Sequence, residues 1–265
     1  MADNSNSSST HARAEHILRE LQTRGSVSIQ DLVQTLGVSV ATVRRDLQDL
    51  EGQALLRRVH GGAISIAPLF YEPFRHDSSF QEEIGRQAAE KRRIANAAAE
   101  LIQDGDTIIL TAGTTTTEII RSMRQRRCVS VVTNAVNVAM ELSKRKDINV
   151  IVTGGYLRGD WFSLVGPPAA HTISHLFPAI AFLGANGVDP DRGLTSNDPD
   201  EAEINSLMVR QARKKVAVAD HTKLGVVASC LICPIESVDL LITDCDASPE
   251  AVKQFEACGI EVQCV

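Results

Sequence analysis

The pattern of apolar residues changes once along this chain of 265 residues, near residue 80. Before that point, short stretches carry apolar residues at helical spacing, and a possible hairpin follows them. After it, strand-like apolar runs alternate with helical segments, which is typical of a largely parallel sheet with helices on both faces. The sequence therefore predicts a small module at 11–66 and an α/β domain at 80–265. A linker is predicted at 67–79, and a disordered tail is predicted at the Ser- and Asn-rich residues 1–10.

Composition limits the classes of function. The chain is 43% hydrophobic and 23% charged, which is ordinary for a globular protein, and no apolar run approaches the ~20 residues that a membrane span needs. The N-terminus lacks an export signal, so a cytoplasmic protein with no membrane partner is expected. The net charge of −6 argues against a protein that coats nucleic acid indiscriminately, but it leaves room for a small DNA-reading module.

Six cysteines are present, and two of them have the CxxC spacing at Cys230 and Cys233. This spacing also occurs in zinc knuckles and redox motifs. No second CxxC and no histidine pair accompanies it, so a structural role is favoured over a metal or redox role. We therefore expect neither a metal site nor a cofactor.

Three short helices are predicted in the small module. The first covers 15–21, the second begins at Ser28, and the third runs from Ser39 to Leu50. Gly37 provides a tight turn between the second and the third. Two short helices joined by a glycine-containing turn are typical of a helix-turn-helix.

The third helix has one apolar and one polar face. Val40, Val43, Leu47 and Leu50 share the apolar side, and the opposite side is short, polar and basic. Side chains of that kind reach base edges and phosphates when a helix lies in the major groove, although a solvated helix face has the same composition. The candidate DNA-binding residues of this helix are Ser39, Ala41, Thr42, Arg44, Arg45 and Gln48.

A hairpin that follows the third helix favours the DNA-binding interpretation. A strand is predicted over 53–58, His60 to Gly62 predict a turn, and 63–66 predict the returning strand. A hairpin in this place is a wing, which can follow the DNA backbone or enter the minor groove. The candidate DNA-binding residues of the wing are Arg57, Arg58 and His60.

Five runs in this module carry a specific resemblance: Ile29–Leu32, Leu36–Ser39, Thr42–Leu47, Leu50–Glu51 and Leu56–Ala63. Together they closely resemble the DNA-binding signature of the DeoR family of bacterial repressors. Gln53-Ala54 departs from the family, which usually has a glycine near the wing. The resemblance implies a winged helix-turn-helix that binds double-stranded operator DNA. Because palindromic operators usually require at least a dimer, a homo-oligomer (dimer or tetramer) is also expected.

The second domain is predicted as an alternation of strands and helices. The predicted strands cover 106–112, 129–133, 148–153, 179–184, 215–219, 238–243 and 260–264. The predicted helices cover 80–103, 117–125, 136–145, 167–175, 200–213 and 249–258.

A ligand of such a sheet binds beyond the carboxyl ends of the strands. After the strand at 106–112 the chain has Gly113 followed by four threonines at the start of a helix, an arrangement that suits an anion, although threonine is also a common cap. Loops after other strands add candidates, each of which is individually as consistent with an ordinary turn. The candidate effector-binding residues are Gly113, Thr114, Thr115, Thr116, Thr117, Asn134, Gly155, Asn186, Asp189, Glu203, Asp220 and Lys223.

These loops, with Asp200–Glu203 and Asp220–Lys223, resemble the C-terminal sensor domain of the same DeoR family. That domain is similar to sugar-phosphate isomerases of the ribose-5-phosphate type, and the resemblance implies a phosphorylated sugar as the effector. The stretch from Gly187 to Val216 looks closest to regulators of amino-sugar or galactitol catabolism. The expected function is repression of a sugar-catabolism operon under the control of such a ligand.

Two alternatives to a repressor stay open at the level of the sequence. One is a sugar-phosphate isomerase-like enzyme with an accessory winged helix, and the other is a protein-interaction role for the winged helix. The isomerases carry Asp-Gly-Ala-Asp where this chain has Asn186-Gly187-Val188-Asp189. An amide cannot accept the proton, so the expectation is that the chain is not an enzyme, while Asp189 and Glu203 remain as carboxylates.

Overall fold

The computed structural model describes residues 13–14, 16–21, 26–52, 56–59, 61–65, 83, 85–123 and 128–265. The chain divides into two compact units, Met1–His76 and Asp77–Val265. The predicted tail at 1–10 and the predicted linker at 67–79 lie outside the described residues.

The N-terminal unit is a winged helix-turn-helix, as the sequence predicts. Helical residues at 13–14 and 16–21 precede a three-stranded antiparallel sheet in the order β1-β3-β2 and two further helices. Its elements are β1 (Ser26–Ser28), α1 (Ile29–Leu36), α2 (Val40–Gly52), β2 (Leu56–Val59) and β3 (Gly62–Ser65). The core is apolar and is formed by all of the helices and strands, with Ile17, Leu32, Val43, Leu47 and Leu56 at its centre.

Local caps explain where the helices begin and end. The Ser28 side chain accepts a hydrogen bond from Asp31 N at 3.0 Å and begins α1, and Gly37 ends this helix in the left-handed conformation at φ 64°. Ser39 Oγ accepts from Thr42 N at 3.2 Å at the start of α2. The predicted helix starts are thereby accounted for by specific hydrogen bonds.

The strand β1 was not anticipated from the sequence. It has three residues, Ser-Val-Ser, and it pairs with β3. The wing therefore supplies the central strand (β3) and one edge strand (β2) of a three-stranded sheet. Gly62 permits this pairing, because a Cβ on Gly62 would lie 2.0 Å from the carbonyl oxygen of Val27. The second glycine of the turn is therefore required by the close approach of two strands.

We expect Gly62→Ala to loosen the wing. The added methyl group must push β3 away from β1, a change that costs roughly 1–3 kcal/mol for overpacking of this kind. Hydrogen–deuterium exchange of the full chain should become roughly tenfold faster in the peptides that cover β1 and β3. Gln34→Ala, on the exposed side of α1, is the control and should leave those rates unchanged. Unaltered exchange in Gly62→Ala would contradict the close approach.

The C-terminal unit is an α/β domain around one parallel sheet, which confirms the predicted fold class. The seven strands lie in the order β15-β14-β12-β9-β4-β5-β6, and every neighbouring pair is parallel. These strands are β4 (Thr107–Leu110), β5 (Val129–Thr133), β6 (Ile148–Val152), β9 (Ile180–Leu183), β12 (Lys214–Val218), β14 (Leu240–Thr243) and β15 (Glu261–Cys264). The helices are α3 (Ala88–Glu100), α4 (Thr114–Ser122), α5 (Val136–Leu142), α6 (Pro167–Ser174), α7 (Pro199–Gln211) and α8 (Pro249–Ala257).

Both faces of this sheet are buried. Along β4, Ile109 belongs to one apolar cluster, and Ile108 and Leu110 belong to the other. Residues of α3, α4 and α5 complete the second cluster, and residues of α6, α7 and α8 complete the first. Because successive side chains of a strand point to opposite faces, the strands are nearly all apolar rather than alternating.

Two predicted helices have different bounds in the structure. Within the described residues, the predicted helix at 80–103 appears as helical residues at 83 and 85 and as α3 (Ala88–Glu100), and Gln87 at φ 50° interrupts the helical backbone between them. The helix predicted to begin at residue 117 begins at Thr114 instead. The four threonines are therefore the first turn of a helix and not the loop before it.

Several short strands outside the main sheet were also missed. An antiparallel hairpin consists of β7 (Tyr156–Arg158) and β8 (Ser163–Val165). A small antiparallel sheet has the order β10-β11-β13, with β10 (Gly187–Asp189), β11 (Gly193–Ser196) and β13 (Cys230–Cys233). One-turn 3₁₀ segments lie at Gly159–Trp161, His221–Lys223 and Ile235–Ser237.

The direction in which the main sheet is built changes beside β4. From β4 the chain adds β5 and β6 on one side, and it then crosses to add β9, β12, β14 and β15 on the other. The connections that leave β4 and β9 therefore diverge, and a crevice opens at the carboxyl ends of these two strands.

Candidate functional site

Helix α2 presents the predicted polar face to solvent. Arg44, Arg45, Gln48 and Ala41 are exposed, whereas Val43, Leu47 and Leu50 are buried. Val40 was predicted on the apolar side but is 45% exposed, because it is the first residue of the helix and lies at its end. Ser39 is also exposed, and Thr42 is half-buried with its hydroxyl 2.9 Å from that of Ser39. The apolar side of α2 is thus fixed in the core, and two guanidinium groups are left on the surface.

One ion pair that was not predicted fixes α2 against the first helical segment. Arg13 Nε donates to Asp46 Oδ2 at 2.7 Å, and Arg13 Nη2 donates to Asp46 Oδ1 at 3.1 Å. Asp46 is 6% exposed, so this bidentate ion pair is largely shielded from water. Asp46 follows Arg45 directly in the sequence, and the pair therefore sets how the basic face of α2 is oriented.

The wing is attached to the end of α2 by another ion pair. The backbone N–H of Arg58 and its Nε donate to the two carboxylate oxygens of Glu51, at 2.9 and 2.7 Å. These two hydrogen bonds lower the pKa of Glu51. Arg58 is exposed and keeps further N–H groups for an anion. Two predicted wing contacts, the Arg57 side chain and His60, lie outside the described residues.

A pocket occupies the crevice at the carboxyl ends of the parallel strands. Its walls come from the segments that follow β4, β9 and β12, from α3 and α7, and from the 3₁₀ turn at His221–Lys223. Seven of the residues that were candidates for effector binding line it: Gly113, Thr114, Thr115, Thr116, Asn186, Asp220 and Lys223.

The first turn of α4 offers backbone N–H groups to the pocket. The amides of Thr114, Thr115 and Thr116 have no acceptor within the helix, and the preceding Gly113 has no side chain to cap them. The hydroxyl of Thr116 is used locally, because its Oγ1 donates to Thr111 O at 2.8 Å. The peptide amides are therefore the stronger candidates for binding an anion.

Two lysines and one glutamate form the charged side of the pocket. Glu83 Oε1 lies 3.0 Å from Lys223 Nζ and 3.2 Å from Lys91 Nζ. Lys91 Nζ also donates to the backbone carbonyl of Glu83 at 2.6 Å, and Lys91 is 2% exposed. Burial by itself would raise the pKa of Glu83, but the hydrogen bond from Lys223 and the charges of both lysines outweigh it and lower the pKa.

Three further residues that line the pocket carry hydrogen-bond acceptors. Asn205 is 7% exposed, and within the described residues its Oδ1 has no hydrogen-bond partner. Glu201 accepts from the hydroxyl of Ser163, and Asp220 Oδ1 accepts from Thr222 N at 3.1 Å. An unpartnered buried amide oxygen is costly, so a donor from a ligand would stabilise it.

Five of the predicted effector residues do not line this pocket. Thr117 Oγ1 donates to Gly113 O at 2.7 Å, and Asn134 Oδ1 accepts from Ala112 N at 3.1 Å. Gly155 packs against β8, since a Cβ there would lie 2.5 Å from Val165 O. Asp189 Oδ1 accepts from two backbone amides of the turn at 191–192, at 3.0 and 2.9 Å, and Glu203 is exposed on α7. Their polar groups serve turns, packing and solvation rather than the pocket.

Six polar or aromatic residues that line the pocket were missing from the candidates named from the sequence: Glu83, Lys91, Trp161, Ser196, Glu201 and Asn205. The sequence contained a pattern that could have identified three of them, Lys91, Glu201 and Asn205. Lys91 has the helical spacing of Ile94, Ala95 and Ala98, so it is a lysine on a buried face. Glu201 and Asn205 are four residues apart and thus share one face of α7.

Cys230 and Cys233 lie on the short strand β13. Since side chains alternate along a strand, residues three apart point to opposite faces, and these two thiols do not form a common site. Burial raises the pKa of Cys233 to about 11, which keeps it a thiol. The CxxC spacing is therefore explained by the position of the two cysteines at the ends of β13, on opposite faces of the strand.

Comparison with protein families assigns both units of the chain. Residues 13–68 match the DeoR-like helix-turn-helix domain, and residues 86–245 match the DeoR C terminal sensor domain. The chain belongs to the DeoR family. The second match alone covers more than half of the chain.

Curated DeoR-family relatives are similar along almost their whole length. The HTH-type transcriptional regulator GolR of Listeria innocua is 33% identical, over 95% of this chain and 97% of the relative. A putative aga operon transcriptional repressor of Escherichia coli O157:H7 is 34% identical, over 96% and 93%. The glycerol-3-phosphate regulon repressor of Escherichia coli K12 is 32% identical, over 88% and 90%. This DeoR-family chain is accordingly a DNA-binding transcriptional regulator.

Solved structures give a much weaker similarity. The ribose 5-phosphate isomerase of Methanocaldococcus jannaschii matches with a TM-score of 0.39 and 18% identity, over 52% of this DeoR-family chain and 54% of the isomerase. A similarity this weak carries no information about what the chain binds or catalyses. In the described part of the chain, no helix has the length and apolar character that crossing a membrane requires.

The ion pair between Arg13 and Asp46 predicts a difference between two neighbouring aspartates of this DeoR-family module. Asp46→Asn removes the charge that Arg13 contacts with two hydrogen bonds and should destabilise the docking of α2 by roughly 1–3 kcal/mol. Hydrogen exchange in α2 should accelerate accordingly in the full chain. Asp49→Asn makes the same change of charge at an exposed position of α2 and should have little effect. Equal exchange in the two variants would rule out an orienting role for Asp46.

Proposed function

We propose that this chain represses a sugar-catabolism operon by binding its operator through α2 and the wing, and that a phosphorylated sugar in the C-terminal pocket controls that binding. The observation that carries the ligand proposal is the pocket at the carboxyl ends of β4, β9 and β12, where two lysines meet the uncapped start of α4. These are the groups that bind a phosphate.

Two sets of groups in the pocket suit the two parts of a sugar phosphate. Lys91, Lys223 and the amides of the first turn of α4 suit the phosphate. Asn205 lines the pocket and its buried Oδ1 has no partner among the described residues, so this residue suits a hydroxyl donor of the sugar. A ligand with an anionic and a polyol end would therefore use both sets at once.

The names of the relatives support the same class of ligand and the same kind of target. One of them is a repressor of a glycerol-3-phosphate regulon, and another is a putative repressor of the aga operon. For this chain we extend the analogy only to a phosphorylated carbohydrate or polyol. Because operators of such repressors are commonly palindromic, the proposed DNA-bound form is a homo-oligomer.

The DNA-binding proposal predicts separate losses for the two arginines on α2. Arg44→Ala and Arg45→Ala should each weaken specific binding, and an arginine that contacts a guanine should cost about 1–3 kcal/mol at one base position. Fluorescence anisotropy with DNA from upstream of the gene, and with each base pair of the bound site replaced in turn, measures this effect. The exposed α1 variant Gln34→Ala is the control. Unaltered operator affinity in both arginine variants would remove α2 as the recognition helix.

The ligand proposal predicts that Lys223→Gln loses affinity for a sugar phosphate by about tenfold to a hundredfold, because one charge-assisted hydrogen bond is removed. Calorimetry with paired sugars and sugar phosphates measures both the effect of the variant and the preference for phosphate. Lys253→Gln, an exposed lysine of α8, is the matched control. Equal affinity for a sugar and its phosphate would show that the pocket is not a phosphate sensor.

A further inference from the structure

Glu83 is surrounded by cations inside the proposed phosphate pocket. Its Oε1 contacts both Lys223 and Lys91, at 3.0 and 3.2 Å, and its Oε2 lies 3.7 Å from Arg86 Nη1. Glu83 lines the same pocket as the first turn of α4. A carboxylate of the chain itself therefore occupies the cationic side of this pocket.

This carboxylate changes what the pocket can bind. With Glu83 in place, its single negative charge offsets one of the two lysine charges and its Oε1 contacts both ammonium groups, and the other carboxylates that line the pocket are Glu201 and Asp220. A phosphate dianion that entered beside Glu83 would meet like charges at short range, an arrangement that costs free energy in a partly buried site. The lysines become available to a phosphate only when Glu83 leaves them.

We propose that Glu83 is an internal counter-ion that holds the anion-binding position, and that the phosphate group of the ligand displaces it from Lys91 and Lys223. The proposal rests on the proposed function of the pocket. Glu83 reaches both lysines through a single oxygen. A phosphate carries an additional negative charge and three oxygens, so it can contact both lysines and the amides of α4 together.

Displacement of this kind makes the pocket selective. A ligand carboxylate that replaced Glu83 would exchange one monoanion for another at the same lysines and would gain little. A phosphate dianion gains a second charge, and an uncharged sugar cannot displace Glu83 at all. Only a doubly charged group therefore gains enough binding free energy to displace Glu83.

Displacement of Glu83 by a ligand has a regulatory consequence because of the position of Glu83 in the chain. Glu83 lies seven residues after His76, the last residue of the N-terminal unit, and the same Lys91 that holds its side chain also holds its backbone carbonyl. A ligand that takes Lys91 and Lys223 removes those contacts from the segment that leads to the DNA-binding unit. A ligand shifts an equilibrium only through such a difference in contacts between two states.

The first test compares the affinity of full-length variants for inorganic phosphate at pH 8, measured by calorimetry at constant ionic strength. Glu83→Gln removes the competing charge and should tighten binding roughly tenfold, within the usual range of coupling between two sites. Glu100→Gln makes the same change of charge at an exposed position of α3 and should bind as the wild type does. Equal or weaker binding by a folded Glu83→Gln variant would overturn the displacement.

The second test uses the wild-type chain and does not depend on whether the variant folds. Inorganic phosphate should accelerate hydrogen exchange in peptides that cover 83–87 and slow it in peptides that cover 113–117, relative to potassium chloride at equal ionic strength. Slower or unchanged exchange at 83–87 upon binding would overturn the displacement. Phosphate affinity that is lost in Lys223→Gln while exchange at 83–87 is unaffected would leave the proposed function standing and reject only the role of Glu83. No phosphate binding by either the wild type or Glu83→Gln would reject both.

Discussion

The parallel pairing of β4 with β9 is the contact on which the pocket depends. These two strands begin the two halves of the sheet, so the connections that follow them separate and leave a crevice. Hydrogen bonds continue the pairing past the ends of the strands: Thr111 N donates to Phe182 O at 3.2 Å, and Gly184 N donates to Thr111 Oγ1 at 2.9 Å. The floor of the pocket is therefore an extension of the most deeply buried part of the fold, and the backbone of that floor is held by the sheet.

Burial on both faces also explains which parts of the fold could be predicted. Strands such as β4, β5 and β9 are continuous apolar runs, and their positions follow from the sequence alone. The strands β1 and β10 have three residues each and exist because of partners elsewhere in the chain, so no local period reveals them. The winged helix-turn-helix was predictable because its turns and caps are local.

The site was predictable in its backbone and less so in its side chains. Gly113 and Lys223 were found because they follow strands at the correct end of a parallel sheet. Lys91 and Glu83 were missed because no local sequence pattern shows that these two side chains contact each other, and residues that cap turns, such as Asp189, are of the same types as residues that bind ligands. Position relative to the sheet could be inferred from sequence, whereas the partner of each polar group could not.

The Arg13–Asp46 ion pair and the contacts of Glu83 with Lys91 and Lys223 differ in geometry, and this difference agrees with their proposed roles. Arg13 and Asp46 meet through two nitrogens and two oxygens, so each side chain satisfies the other and the contact is suited to holding a helix permanently. Glu83 instead offers one oxygen to two lysines, and the capacity of those ammonium groups is only partly used. A contact of the second kind is held by charge more than by geometry. A ligand with more charge and more oxygens can therefore replace it, whereas the first kind has no comparable competitor.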